Sequence, residues 1–163
     1  MQRTAVFQSS PPAKRGKIDH FHHAPASTLL EELLTSSVVL AEDWERLSKS
    51  DLDEISQCSE PETLLPLLVK HQLLTQYQAD HVEAGKISGL IFGNYRVLER
   101  LGAGGMGIVF KAEHLDLRRP VALKLLCSSA ANDPRVIQRF STEMRAVAQL
   151  QHPNIVAAMD AGA

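Results

Sequence analysis

Cysteine is nearly absent from this chain of 163 residues, and long apolar runs are missing altogether. Cys58 and Cys127 stand far apart, so they supply neither a disulfide framework nor the close ligand spacing of a zinc site. A reducing, cytoplasmic setting is the expectation. No window approaches the ~18 consecutive apolar residues that a membrane-crossing helix needs. The opening MQRTAVFQSSPPAKRGK lacks the apolar core of a signal peptide. Net charge is also scarce, at −2, which excludes the strongly basic stripe of a nucleic-acid binder. What remains is 44% hydrophobic and 22% charged, enough for a packed core in one ordinary domain or two small ones.

The small net charge hides an uneven distribution. Residues 1–27 carry four basic side chains against one acidic, residues 28–90 four against twelve, and residues 91–163 nine against six. Three segments follow. Residues 1–27, with Ser9-Ser10-Pro11-Pro12 and a basic cluster, read as a disordered tail. Its HFHH at 20–23 offers His20, His22 and His23 to a metal, but no cysteine or carboxylate completes a site, and a solvated polar tract is the simpler reading. No metal ligand is expected in the chain.

Residues 28–90 read as an acidic helical extension, because LLEELLTSS, VVLAEDWERL and TLLPLLVKHQLLTQYQADHVEAG repeat apolar residues three or four apart. Pro66 is awkward there. It fits the first turn of a helix begun near Glu62 or Thr63, after the turn signal Ser59-Glu60-Pro61. An internal similarity appears at an offset of 35: Leu33-Leu34 with Leu68-Val69, Val38-Val39 with Leu73-Leu74, Leu47 with Val82. It reads either as two copies of a helix–break–helix unit packed in a small bundle, or as chance likeness between amphipathic helices. Such a bundle could bind a protein partner. Glycines at 85, 89 and 93 place a boundary near 85–93, beyond which the period changes from helical to alternating.

Leu101 to Lys124 reads LGAGGMGIVFKAEHLDLRRPVALK. Gly102, Gly104 and Gly107 satisfy G-x-G-x-x-G, a weak signal alone. A dinucleotide-binding loop would open a helix and be followed about 20 residues on by an acidic residue. Here Ile108, Val109 and Phe110 are β-formers, and PVALKLLCSS has no carboxylate. A Walker loop would need lysine and a hydroxyl where Ile108 and Val109 stand. A glycine-tipped hairpin fits better: Tyr95 to Leu101 as one strand, Ile108 to Glu113 as the next, with backbone N–H groups free to approach phosphate oxygens. Val121 to Leu126 would be a third strand, in which Lys124 needs an anion, a phosphate or a carboxylate, to be tolerated. After it, Asp133 and Pro134 cap a helix whose apolar stripe is Ile137, Phe140, Met144, Val147 and Ala148. Glu143 lies at the rim of that stripe, able to meet Lys124 or to pair on the surface with Arg139.

LGAGGMGIV at 101–109, VALK at 121–124 and RFSTEMRAVAQLQHPNIV at 139–156, in this order, resemble the eukaryotic-like serine/threonine protein kinases of bacteria. The resemblance covers roughly residues 93–163. It implies an α+β fold: residues 91–163 as a partial protein kinase small lobe, an antiparallel sheet plus helix C. It implies ATP as ligand, held by Leu101, Gly102, Ala103, Gly104, Gly105, Met106, Gly107, Ile108 and Val109 together with Ala122 and Lys124. Leu101, Val109 and Ala122 would cover the adenine, Lys124 would hold the α- and β-phosphates, and Glu143 would orient Lys124. Met106 would either shield the γ-phosphate or be a flexible exposed side chain. With the resemblance, Lys124 becomes the expected partner of Glu143. The implied reaction is transfer of the γ-phosphate to hydroxyls of a protein substrate. Choice of serine and threonine over tyrosine rests on the family.

The family's catalytic H-R-D and metal-binding D-F-G segments do not occur here; Asp160, in MDAGA, has no Phe-Gly after it. No catalytic residue is therefore expected within the chain, Mg2+ would be held by residues beyond it, and the chain alone is expected to be inactive. A segment further downstream could anchor the parent protein in a membrane. The competing reading is a pseudokinase-like module that binds nucleotide or partners without transfer.

Overall fold

The computed structural model describes residues 3–7, 25–105, 107–126, 133–149 and 157–162. In chain order they form β1 (Arg3–Phe7), α1 (Ala26–Thr35), α2 (Ala41–Glu45), α3 (Lys49–Ser56), α4 (Pro61–Lys70) and α5 (Gln76–Glu83). A 3₁₀ turn (Ile87–Leu90) follows, then β2 (Ile91–Phe92), β3 (Tyr95–Gly104), β4 (Gly107–His114), β5 (Arg119–Leu126), α6 (Pro134–Ala148) and β6 (Ala157–Gly162). The class is α+β, as the sequence implies. The chain divides into two compact units, residues 14–98 and residues 1–13 with 99–163. Among the described residues no helix is long and apolar enough to cross a membrane.

The helical unit is a tandem repeat. α1 and α4 begin and end 35 residues apart, and α2 and α5 begin 35 apart. Leu29, Leu33, Val38 and Val39 are buried, and so are their counterparts Leu64, Leu68, Leu73 and Leu74. At about 1.5–3 kcal/mol for each fully buried aliphatic side chain, these positions are a large share of the unit's core. The helix ends repeat as well. Ser37 and Gln72 both take a left-handed conformation, with φ of 61° and 60°. Val39 N and Leu74 N then donate back to the carbonyls of Leu33 and Leu68 at 3.0 and 3.2 Å. This reversal turns the next two side chains inward in both copies. α4 packs against α1, α3 and α5.

The sequence placed Pro66 in the first turn of a helix begun at Glu62 or Thr63. Instead the helix begins at Pro61, and Pro66 lies inside it. Pro61 suits that start, because its missing N–H is one the first turn would leave unpaired anyway. Pro66 costs the bond to the Glu62 carbonyl, but it is exposed, so that carbonyl can turn to water.

β3 begins inside the helical unit, where Ile91 and Phe92 of β2 pair antiparallel with Arg96 and Tyr95. The boundary between units therefore falls after Leu98, later than the 85–93 expected. Ile87, Leu90, Tyr95, Arg96 and Val97 are all buried.

In the second unit β4 and β5 pair antiparallel from Gly107↔Leu126 to His114↔Arg119. The sheet continues beyond β5 with β1 and then β6. β1 runs parallel to both, Arg3 opposite Val121 and opposite Ala157, with a register shift between Thr4 and Ala5 on the β6 side. Arg3–Phe7 is thus a strand, where the sequence suggested a disordered tail. The rest of that tail, with its histidines, lies outside the described residues.

Candidate functional site

Strand alternation gives the sheet two faces. Ile108, Phe110, Ala112, Val121, Leu123 and Leu125 share one, with Phe110, Ala112, Val121, Leu123 and Leu125 buried. Gly107, Val109, Lys111, Ala122, Lys124 and Leu126 share the other. Helix α6 covers part of this second face: Phe140 and Leu126 are buried together, with Val136 and Met144 packed against them. The helix starts where the capping signal lies, as Arg135 N donates to Asp133 Oδ1 at 2.9 Å. Ile137 is half-buried. The side chains of Val147 and Ala148 lie outside the described set.

This packing aims Glu143 at β5. Lys124 Nζ donates to Glu143 Oε1 at 3.1 Å and lies 5.7 Å from the centre of the Phe140 ring. The Lys124 side chain is 19% exposed and that of Glu143 40%. A pair this open to water is worth ~1 kcal/mol at most, so it orients the ammonium more than it holds the fold. Val109 is directly opposite Lys124 in the ladder, and Ala122 is two residues away on the same face.

The glycine stretch forms the turn between β3 and β4. Ala103, Gly104 and Gly105 are exposed, Gly102 and Ile108 half-buried, and Leu101 is a large apolar side chain left 57% exposed. Met106 lies outside the described residues. Gly107 is required by the fold: a Cβ there would collide with the backbone oxygen of Leu125. Gly102, Gly104 and Gly105 are not required in this way. A Cβ at any of them meets nothing within 4 Å, and none has a left-handed φ. Among the described residues nothing calls for glycine at these three positions, whereas close approach of a ligand to the backbone would. The residues present therefore fit a phosphate-bearing ligand: an open glycine turn, a cation on the neighbouring strand and a carboxylate that fixes it.

Sequence reasoning missed one contributor to this site and, within the helical unit, three side chains that hold the start of β3. Phe140, three residues before Glu143, lies beneath the lysine. Thr75 Oγ1 donates to Leu98 O at 2.5 Å, and Gln78 Nε2 donates to Val97 O at 2.7 Å. Arg96 is buried, with Nη1 donating to Val38 O at 3.0 Å and Nη2 lying 3.7 Å from Asp43 Oδ2. Residues 96–98, the part of β3 inside the helical unit, are thereby tied to both copies of the helical repeat. Among local signals, only the capping pair Thr75 and Gln78 pointed to this region, as S/T-x-x-E/Q motifs do.

No protein-family model matches the chain. Among curated proteins it is similar to serine/threonine-protein kinase PrkC of Bacillus subtilis, 44% identical over 72 residues, which are 44% of this chain and 11% of that protein. Serine/threonine-protein kinase Pkn1 of Myxococcus xanthus is 42% identical over 72 residues, 44% of this chain and 10% of that protein. PknJ of Mycobacterium tuberculosis is 44% identical over 75 residues, 46% of this chain and 13% of that protein. The chain matches only about a tenth of the length of these relatives. Over that stretch its resemblance to bacterial serine/threonine kinases, first read from the motifs, is shown.

Proposed function

We propose that residues 91–163 are the ATP-binding part of a protein serine/threonine kinase whose complete chain transfers the γ-phosphate of ATP to protein hydroxyls. The observation that carries this reading is the 3.1 Å pair between Lys124 and Glu143, on the sheet face that also presents Val109 and Ala122. The three glycines that no described residue requires support it, and so do the kinase relatives. In this reading the backbone from Leu101 to Val109 lies over the phosphates, and Lys124, oriented by Glu143, holds the α- and β-phosphates. Leu101, Val109 and Ala122 cover one side of the adenine, which gives the exposed Leu101 a partner. Mg2+, which this chemistry requires, would be held by side chains that this chain does not contain, and no catalytic residue is assigned within it. The acidic helical residues 28–90 are proposed to be a module of their own together with the start of β3, within the unit of residues 14–98, and a cytoplasmic location fits the free, half-buried Cys58.

The test incubates this chain with Mg-ATP and a general protein substrate, beside a longer chain continued through the downstream reading frame. Transfer is expected from the longer chain alone, and Lys124→Met should lower it by about 10²–10³-fold, the usual worth of one electrostatic clamp, with an unchanged melting curve. Transfer by the short chain, abolished by Lys124→Met, would relocate the catalytic groups. Silence in both would replace the transferase with a nucleotide-binding or interaction module.

A further inference from the structure

The helical unit contains a groove of about 140 Å³ between α4 and α5. Its floor is apolar, formed by Leu65, Val69 and Ala79. Its rim is acidic: Glu62 on one helix, Asp80 and Glu83 on the other, with no lysine or arginine among the described residues that line it. Asp80 and Glu83 are exposed, and Gln76 Nε2 donates to Asp80 Oδ1 at 2.7 Å, which fixes that carboxylate at the rim.

The repeat supplies an internal template for what belongs in this groove. Thirty-five residues before Leu65, Val69 and Ala79 stand Leu30, Leu34 and Trp44. The two aliphatic positions are kept, but the small Ala79 replaces the only tryptophan in the chain. Trp44 is half-buried. At this register position the first copy thus carries a large ring and the second, at the buried Ala79, only a methyl group. The space is of the right size, since an apolar cavity of about 150 Å³ takes up a benzene ring. The acidic rim position also recurs, with Glu45 exposed where Asp80 stands.

We propose that the α4/α5 groove is a docking site for a segment of a partner protein that presents one aromatic side chain flanked by lysine or arginine. The ring occupies the floor that Ala79 leaves open, as a buried aromatic anchor does at other interfaces. The flanking cations meet Asp80 and Glu83, and the excess of twelve acidic over four basic side chains in residues 28–90 steers such a segment inward.

The experiment uses the full chain and fluorescein-labelled decapeptides read by anisotropy. One peptide has a central tryptophan with two lysines on each side. In the controls alanine replaces the tryptophan, or glutamate replaces the lysines. The tryptophan–lysine peptide should bind at least tenfold more tightly than either control. Ala79→Trp, which fills the groove in the manner of the first copy, should weaken it at least tenfold. The double variant Asp80→Asn, Glu83→Gln should do the same and flatten the salt dependence; it decides the matter alone if Ala79→Trp does not fold. Equal binding of the three peptides, or binding unchanged in the variants, overturns the proposal. A concentration-dependent dimer abolished by Ala79→Trp would assign the groove to a second copy. Peptide binding that emerges only after residues 1–24 are removed would assign it to this chain's own basic segment. Either outcome also overturns the proposal.

Discussion

At the scale of single residues, the four glycines of the loop divide by what demands them. Gly107 answers to the fold, because the Leu125 backbone oxygen occupies the space of a side chain. Gly107→Ala must displace one of two paired strands, and a loss of about 1–3 kcal/mol is expected, as for other overpacked sites. Gly104→Ala meets no neighbour within 4 Å, and stability should stay within about 0.5 kcal/mol of the parent, while affinity for ATP falls. Chemical denaturation and a nucleotide-binding titration on the two variants check this. A Gly104→Ala protein as destabilised as Gly107→Ala would mean that the open glycines serve the backbone and not a ligand. The glycines and Lys124 stand out in the sequence because each is chemically odd where it stands: clustered glycine before a β run, a cation in an apolar strand. Glu143, a carboxylate beside an apolar stripe, was equally open to Arg139, and only the kinase resemblance pointed it to Lys124. Gly107's separate role was not legible, since it depends on how closely β4 approaches β5.

Among the elements, α3 and the end of α4 are joined by charge. Lys70 Nζ lies 2.6 Å from Glu54 Oε1, His71 Nε2 lies 3.0 Å from Glu54 Oε2, and His71 Nδ1 lies 3.7 Å from Asp51 Oδ1. The hydrogen bond from Lys70, then that from His71, holds the Glu54 carboxyl below its ordinary range. The Ser48 hydroxyl, bonded to Asp51 Oδ2 at 2.6 Å, does the same for Asp51. A carboxylate whose folded-state pKa is depressed contributes stability that is fully present above its unfolded pKa, near 4, and is lost as pH falls through the lower folded value. The unit's midpoint of denaturation should therefore fall as pH drops below about 4, and Glu54→Gln should make that fall shallower. The effect will be small, because both groups are open to water. A steeper fall in Glu54→Gln would contradict this account. The repeat was legible from spacing at an offset of 35, but spacing alone could not separate true copies from chance. The matching left-handed residues Ser37 and Gln72 make that distinction, and neither is a glycine that sequence would flag. Pro66 was misplaced because its tolerance depends on facing water, which no local rule supplies.

For the molecule as a whole, what the sequence could not show is where distant segments take up hydrogen bonds. RTAVF at 3–7 contains β-formers, yet its partners Val121–Leu125 and Ala157–Gly162 lie at the other end of the chain, and a local reading saw only the Ser-Pro and basic residues that follow. The unit boundary was hidden for the same reason. The glycines at 85, 89 and 93 look like a linker, but Gly85 closes α5, with Gly85 N donating to Val82 O at 2.9 Å and Lys86 N to His81 O at 2.8 Å. This is the glycine-terminated helix end in which the last carbonyls are satisfied. Ile87 and Leu90 are then buried at 7% and 0% exposure, and Thr75 and Gln78 bind the carbonyls of Leu98 and Val97. A protease needs several residues of backbone to open, and opening 85–93 would expose both apolar side chains and free those carbonyls. Brief trypsin digestion of the native chain should therefore spare Lys86, although that side chain is exposed, and should spare Arg46, Lys49 and Lys70 with it. Mass spectrometry of the products should find a resistant core containing residues 26–96. Gln78→Ala removes one tie to β3 and should speed cleavage after Lys86 ahead of cleavage after Lys70. Early cutting at Lys86 in the unaltered chain would restore 85–93 as a linker and end the helical unit at α5.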